Sequence, residues 1–339
     1  MRKLLNTLYV TTPDAYLCKD GLNVVITVKQ TEIFRIPIVN IEGIVTFGYM
    51  GASPGLMLLC SEYNVSLTFL SPSGKYIGKF QGPIKGNVLL RTKQWDMTAD
   101  KHVALAVARI FIAGKIQNYR SILARYIRDN GNIDSVANAI EYLKRCKQRV
   151  FSAPDMDQVR GIEGDAANHY FDVFPHLILH QKDDFPFAGR NRRPPKDAVN
   201  AMLSFVYTLI SSDVVAALET VGLDPYIGFL HTLRPGRPSL ALDMMEELRA
   251  YLGDRLVLSL INRKQVTNTD FIPQGESVVM TDNCKKQILS AWQNRKKEII
   301  THPYLREKIP IGLLAYVQAM LLARYLRGDL DNYPVFLIN

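Results

Sequence analysis

The chain has 339 residues, 47% of them hydrophobic and 22% charged, a balance that excludes wholesale disorder and suits two domains with sizeable cores. Lysine and arginine number 41 against 32 aspartates and glutamates, a net charge of +9 with a pI near 9.3, which favours a polyanionic partner, nucleic acid before membrane. No GxxxxGK[ST] loop and no CxxC pair occurs, so a P-loop NTPase and a thiolate zinc or redox centre are set aside.

From Leu4 to about Phe80 the pattern is period two in short runs: LYVTT, AYLCKDG, LNVVITV, TEIFRIPI, IEGIVTF, VSLTFLS and KYIGKF. Asp20-Gly21, Asn40, Gly48, Gly51 and Ser73-Gly74 punctuate them, as turn residues do between consecutive strands. Met57 to Tyr63 is the one helix expected there, in a small β-sandwich-like domain over 1–85. The stretch QGPIKG breaks the pattern, a linker is expected over 86–97, and an all-α domain over 98–328 precedes a tail over 329–339 that is loose or docked on a partner. The expected fold class is therefore α+β. Cys18, Cys60, Cys146 and Cys284 are far apart and read as buried thiols of a reducing compartment. The N-terminus lacks a cleavage site, no uncharged run is long enough to span a bilayer, and the expected location is cytoplasmic, away from any membrane.

Helical spacing predicts helices over Thr98 to Arg128 and over Ile133 to Val150. The next segment, PDMDQVRGIEGDAANHYFDVF, places Glu163 between Gly161 and Gly164. Each glycine costs a helix interior about 1 kcal/mol, so the pair implies a close approach to the backbone, by a ligand or by another helix. Glu163, Ala167 and Tyr170 share one face, an acid and a phenol with a small residue between. His169, His176 and His180 follow without an HExxH pattern and are expected to be ordinary satisfied histidines.

The loop GRNRRPPK carries Arg190, Arg192, Arg193 and Lys196, stiffened by Pro194 and Pro195, and guanidinium groups so placed suit phosphate. Asp197 opens the following helix, along which Asn200, Ser204 and Tyr207 form a polar line. The stretch His231 to Arg249 then brings an imidazole, a turn with Arg234 and Arg237, and a helix for which Ser239 is the expected N-cap. Leu240, Leu242, Met245, Leu248 and Leu252 form its apolar stripe; Asp243 and Glu246, three apart, project together on another side. Either these acids and Glu247 are a solvated face, or Asp243 and Glu246 meet His231 and Glu163. TNTDFIPQGESVVMT reads as a β-like excursion. The helix from Asp282 carries Lys285, Lys286, Arg295, Lys296 and Lys297 around Trp292, and a last apolar helix runs from about Pro310 to Arg327.

The succession GIEGDAANHYF, RNRRPPKDAVNAMLSFVY and HTLRPGRPSLALDMMEELR resembles the universal CRISPR-associated adaptation nuclease, the spacer integrase, in its type I-C form. The resemblance covers nearly the whole chain. It implies a metal-dependent DNA endonuclease and integrase that inserts short DNA segments into a repeat array by 3′-OH attack. It also implies catalytic and metal-binding roles for Glu163, His231 and Asp243, with Glu246 as a further metal ligand. Tyr170, Asn200 and Ser204 match polar positions around that site, and with the basic residues Arg190, Arg192, Arg193, Lys196, Arg234 and Arg237 they are expected to face DNA. Carboxylates with one imidazole and no thiolate suit Mg²⁺ or Mn²⁺ better than Zn²⁺. The implied partners are double-stranded DNA, a second copy of the chain joined through the β domain, and a small ferredoxin-like second adaptation protein. A metal-dependent DNase that cuts without joining would share every one of these residues.

Overall fold

The computed structural model describes residues 7–41, 43–71, 76–80, 82, 88–192 and 194–338. Two compact units result: Met1–Lys85 with Lys285–Glu298 and Pro310–Leu313, and Gly86–Cys284 with Ile299–Ile309 and Leu314–Asn339. Arg193, the Ser73-Gly74 turn and residues 83–87 lie outside the described residues.

In the first unit the seven expected runs are strands: β1 (Thr7–Val10), β2 (Tyr16–Asp20), β3 (Asn23–Val28), β4 (Thr31–Pro37), β5 (Gly43–Phe47), β6 (Ser66–Leu70) and β7 (Tyr76–Phe80), with α1 (Pro54–Glu62) before β6. Gly21, at φ +57°, turns β2 into β3 so that Asp20 faces Asn23, a left-handed conformation that glycine adopts without strain. The second sheet, β2-β3-β4, is antiparallel. The first, β1-β5-β6-β7, is parallel at β1-β5 and β5-β6; parallel neighbours need a crossover, and α1 supplies the one between β5 and β6. Ser53 caps α1 by accepting from Leu56 N at 3.1 Å. Leu17, Val24 and Ile26 of one sheet and Ile44 and Leu67 of the other share a buried core with Leu56 and Leu59 of α1. On the edge strand β4, by contrast, Ile33 and Phe34 are exposed.

The second unit is helical: α2 (Val88–Ala99), α3 (Lys101–Asn130), α4 (Asp134–Ser152), α5 (Met156–Asp172), α6 (Ala198–Val221), α7 (Ser239–Leu248) and α8 (Arg255–Asn262), with a π-helical segment, Arg249–Asp254, joining the last two. Asp100, Asp155 and Asp197 cap α3, α5 and α6 through backbone N–H groups two or three residues on. The expected excursion is the hairpin β8 (Phe271–Gln274) and β9 (Ser277–Met280). Then come α9 (Asp282–Lys297), which from Lys285 on belongs to the first unit, the short pair β10 (Ile299–Thr301) and β11 (Lys308–Pro310), and α10 (Leu314–Arg327).

Two expectations are corrected. Residues 88–99 are helical where a linker is expected; Gln94 of α2 is buried and grips Asp224 O and Ile227 O at 2.8 and 2.7 Å. The tail is neither loose nor waiting for a partner. Tyr333 and Phe336 are buried, Asn118 of α3 donates to Phe336 O at 2.9 Å and accepts from Ile338 N at 2.9 Å, and Val335 fills the space that a Cβ at Gly114 would need. Helix α6 is long and apolar enough to cross a bilayer by length and composition, though it carries Asp213 and Glu219, so the expectation of no uncharged spanning run is unaffected; 61% of its apolar window is buried inside the structure. In α9, Lys296 is buried over the Trp292 ring at 5.4 Å.

Candidate functional site

Helix α7 is buried on nearly every side, acids included: Asp243 and Glu247 are 0% exposed and Glu246 is 2% exposed. A solvated acidic face is thereby excluded. Buried carboxylates need partners, and Asp243 finds four in the preceding loop. Its Oδ2 accepts from Phe229 N at 2.6 Å and Leu230 N at 2.9 Å; its Oδ1 accepts from His231 N at 3.0 Å and meets His231 Nδ1 at 2.6 Å. The approach depends on Gly228, where a Cβ would lie 2.7 Å from Asp243 Oδ2 and from Leu240 N. Ser239 does not cap α7; it is the first helical residue, and its Oγ donates to Thr232 O at 3.3 Å, pinning the far side of the loop.

In this structure Asp243 holds the loop and the His231 ring, where a metal ligand is expected. Both of its oxygens are consumed, and its bond to Nδ1 leaves the lone pair of a neutral His231 ring on Nε2. Glu246 Oε1 lies 4.0 Å from His231 Nε2 and 3.1 Å from Arg249, and its Oε2 lies 2.7 Å from Lys115 Nζ. The same ammonium contacts Glu163 Oε1 from the other side. Burial alone would raise the Glu246 carboxyl, but above all the charges of Arg249 and Lys115 outweigh it and hold the group down to about 2. Glu163 and His231 keep side-chain exposures of 27% and 19%, so the cluster opens on their side.

Behind Glu246 lies a second polar layer. The π-helical segment carries Arg249 over the Tyr207 ring at 5.3 Å and Asp254 to within 2.5 Å of the Tyr207 hydroxyl, which donates to it; such segments recur at functional sites. Tyr170 is buried and stacks on Tyr119 with centroids 3.8 Å apart. Arg190, like Arg249, lies over the Tyr207 ring, at 5.4 Å, and donates to Asn200 Oδ1 at 2.6 Å and Ser204 Oγ at 3.1 Å. Asn200 is 0% exposed and ties the loop at Gly189 and Asp197. Tyr170 and Asn200 are thus interior where DNA contacts are expected, and Arg190 is spent on fastening its own loop.

Burial pushes Asp254 up from 3.8 to about 6 against the hydrogen bonds and charges around it. A carboxyl raised in the folded state contributes stability that is complete below its unfolded value and is lost as pH rises through the folded one. Between pH 4 and pH 7 the Asp254 contribution should fall by about 2 kcal/mol. Asp254→Asn, which still accepts from Tyr207, should gain on the wild type by that margin across the same window, and thermal melts at pH 4.5 and 7 read it directly. Parallel melting curves for the two proteins would refute it.

Arg192, Lys196 and Arg234 are exposed and Arg237 and Ser204 are half-buried, leaving the first three as surface cations. A Cβ at Gly161 or Gly164 would meet nothing within 4 Å, so among the described residues no other element closes on those two positions beside Glu163. His169 stacks on Tyr142 at 3.6 Å and His176 meets Ser135 at 3.1 Å, and neither joins the cluster. Lys115, Arg249 and Asp254 escaped sequence reasoning. The one signal was a lysine inside the apolar run Phe111, Ile112, Ala113, Gly114 and Ile116 of α3, all buried.

Among the described residues no three His, Cys, Asp or Glu side chains form a ready group around one point; the Lys115 ammonium stands between the two glutamates. The donor set nevertheless fits a hard cation. Glu163, Glu246 and His231 Nε2 present two carboxylates and an imidazole, and a positive charge already stands where both carboxylates point.

A family model described as CRISPR associated protein Cas1 matches residues 8–294. The chain is similar to a CRISPR-associated endonuclease Cas1 of Chlorobaculum tepidum, 49% identical over 99% of both chains, and to one of Rhodospirillum rubrum, 47% identical over 98% of both. Its fold matches a Cas1 protein from Thermotoga maritima (TM-score 0.83, 23% identity, 98% of this chain and 100% of that one) and a casposase bound to integration product (0.84, 22%, 98% and 94%). It also matches a chain of a Cas6-RT-Cas1–Cas2 complex (0.82, 20%), covering 98% of this chain and 36% of that one.

Proposed function

The chain belongs to the CRISPR-associated Cas1 family, and on that premise we propose that it is a divalent-metal-dependent DNA endonuclease and integrase that inserts short DNA segments into a repeat array. The observation that carries this reading is that Glu163 and Glu246 meet on one buried ammonium while His231 Nε2 lies 4.0 Å from the other oxygen of Glu246. Glu163, Glu246 and His231 would hold Mg²⁺ or Mn²⁺. When bound there, the ion supplies neutralisation of the charge that builds on a phosphate under attack.

The chain's own residues do the rest. Asp243 fixes the imidazole, and Arg249 keeps Glu246 ionised from behind. The open backbone at Gly161 and Gly164 lets a nucleic-acid strand come close to Glu163, while Arg192, Lys196 and Arg234 offer surface charge to its phosphates. In the joining reaction the 3′-OH of the incoming DNA forms a new P–O bond as the bond to the leaving 3′ oxygen breaks, with the proton passing to solvent. Water in place of the hydroxyl gives cleavage alone. A second copy pairing through the exposed β4 edge, with Ile33 and Phe34, accounts for apolar surface that the monomer leaves uncovered. A small Cas2-type partner is supported by the fold match to a Cas2-containing complex.

The test is strand transfer: a labelled short duplex, a supercoiled plasmid bearing a CRISPR repeat, the second adaptation protein, and Mn²⁺ or EDTA. Wild type should give joined product only with metal, and Glu163→Gln should lose it at least 100-fold, in line with ~2.7 kcal/mol or more of lost charge stabilisation. Metal-dependent nicking without joining would indicate a DNase. Full joining by the variant would overturn the site.

A further inference from the structure

We propose that Lys115 is a built-in cation: it holds Glu163 and Glu246 together in the metal-free protein and yields its place when a divalent ion binds. The proposal rests on the reading of Glu163, His231 and Glu246 as metal ligands and goes beyond it, because it concerns a residue that would bind neither metal nor DNA.

Lys115 is 2% exposed, in a stretch of α3 whose neighbours Phe111, Ile112 and Ile116 are fully buried. An ammonium is tolerated in such surroundings only with anionic partners, and its Nζ reaches two of them at once, Glu163 Oε1 and Glu246 Oε2. Without that charge two carboxylates would face each other across a poorly hydrated gap, one of them 3% exposed. With it, the gap is neutral but filled.

A divalent ion joining the same two carboxylates cannot share the gap with an ammonium, since like charges at contact distance in a buried site repel strongly. Three features suit exchange. Arg249 pairs with the other oxygen of Glu246 at 3.1 Å, so that carboxylate remains compensated while Lys115 moves. Glu163, with 27% of its side chain exposed, gives an incoming ion a first ligand from solvent. The Tyr119 ring, one turn along α3 and 5.7 Å from Nζ, offers the ammonium a cation–π resting place within reach of the same side chain.

The consequence is a resting site that is ordered yet weakens metal binding by the work of displacing its own cation. Mn²⁺ affinity and metal-free melting temperature should be measured for wild type, Lys115→Met, Lys115→Gln and Glu246→Gln. The neutral Lys115 variants should bind Mn²⁺ at least tenfold more tightly, melt below wild type without metal, and recover the difference at saturating Mn²⁺. Lys115→Gln, whose amide keeps hydrogen bonds to both glutamates, carries the same affinity test if the methionine variant does not fold. Unchanged or weaker Mn²⁺ binding in a folded neutral variant overturns the proposal, while loss of binding in Glu246→Gln shows the ligand reading still standing. Wild-type affinity in Glu246→Gln removes the ligand reading and the proposal with it.

Discussion

Asp243→Asn will lower Mn²⁺ affinity by ~10–100-fold, the range for a residue that orients a metal-binding histidine, although Asp243 itself points away from the open edge of the site. The aspartate accepts four bonds, two on each oxygen. An asparagine has one acceptor oxygen, so its NH₂ must face one of the two donor pairs. If it faces Phe229 N and Leu230 N, two buried amides lose their acceptor. If it faces His231, the amide donates to Nδ1, and the ring proton moves to Nε2, where it occupies the lone pair that the site needs. Either arrangement also costs stability, about 2–4 kcal/mol from unsatisfied buried donors. Mn²⁺ titration and thermal melts separate the two losses. An asparagine variant with wild-type affinity would show that Asp243 does not set the tautomer.

The second large effect lies at Glu247, next to the ligand candidate but bonded to α10 and the tail. It is 0% exposed and accepts from Gln318 Nε2 at 2.9 Å, from the Tyr333 hydroxyl and from Phe336 N. Burial pushes its carboxyl up to about 7 despite those donors. Glu247→Leu strands all three donors, and at about 1–3 kcal/mol each the expected loss is on the order of 4 kcal/mol, or about 10 °C in melting temperature for a unit of this size. Glu247→Gln should stay near wild type, because its oxygen can serve Gln318 and Phe336 while its NH₂ donates to a rotated Tyr333 hydroxyl. Melting curves, with hydrogen exchange at residues 333–338, check both. A leucine variant that melts with the wild type would mean that the tail is held by packing alone.

The strands of the first unit were legible because alternation and turn residues act locally: Asp20-Gly21 makes its hairpin whatever surrounds it. The three aspartate caps were equally local. Helix α2 was not legible, since its register depends on Gln94 reaching a loop more than a hundred residues away. The site was half legible. Spacing puts Asp243 and Glu246 on related faces, but only the path of residues 228–231 decides which acid is consumed by backbone N–H groups and which stays available. Lys115 was hidden for the same reason: a lone lysine in an apolar helix acquires meaning only when Glu163 and Glu246 arrive from two other helices. The tail's partners, Asn118 and Glu247, are likewise distant in sequence.

The first unit takes Lys285–Glu298 and Pro310–Leu313 from far down the chain, and Gln293 donates to Thr7 O at 3.0 Å to complete it. A single crossover in the gene near residue 85 would therefore transplant seven strands without the helix that finishes their unit. Exchange of this β unit between relatives needs coordinated changes at both places, so its surface should diversify by point substitution on strands such as β4, with wholesale replacement disfavoured.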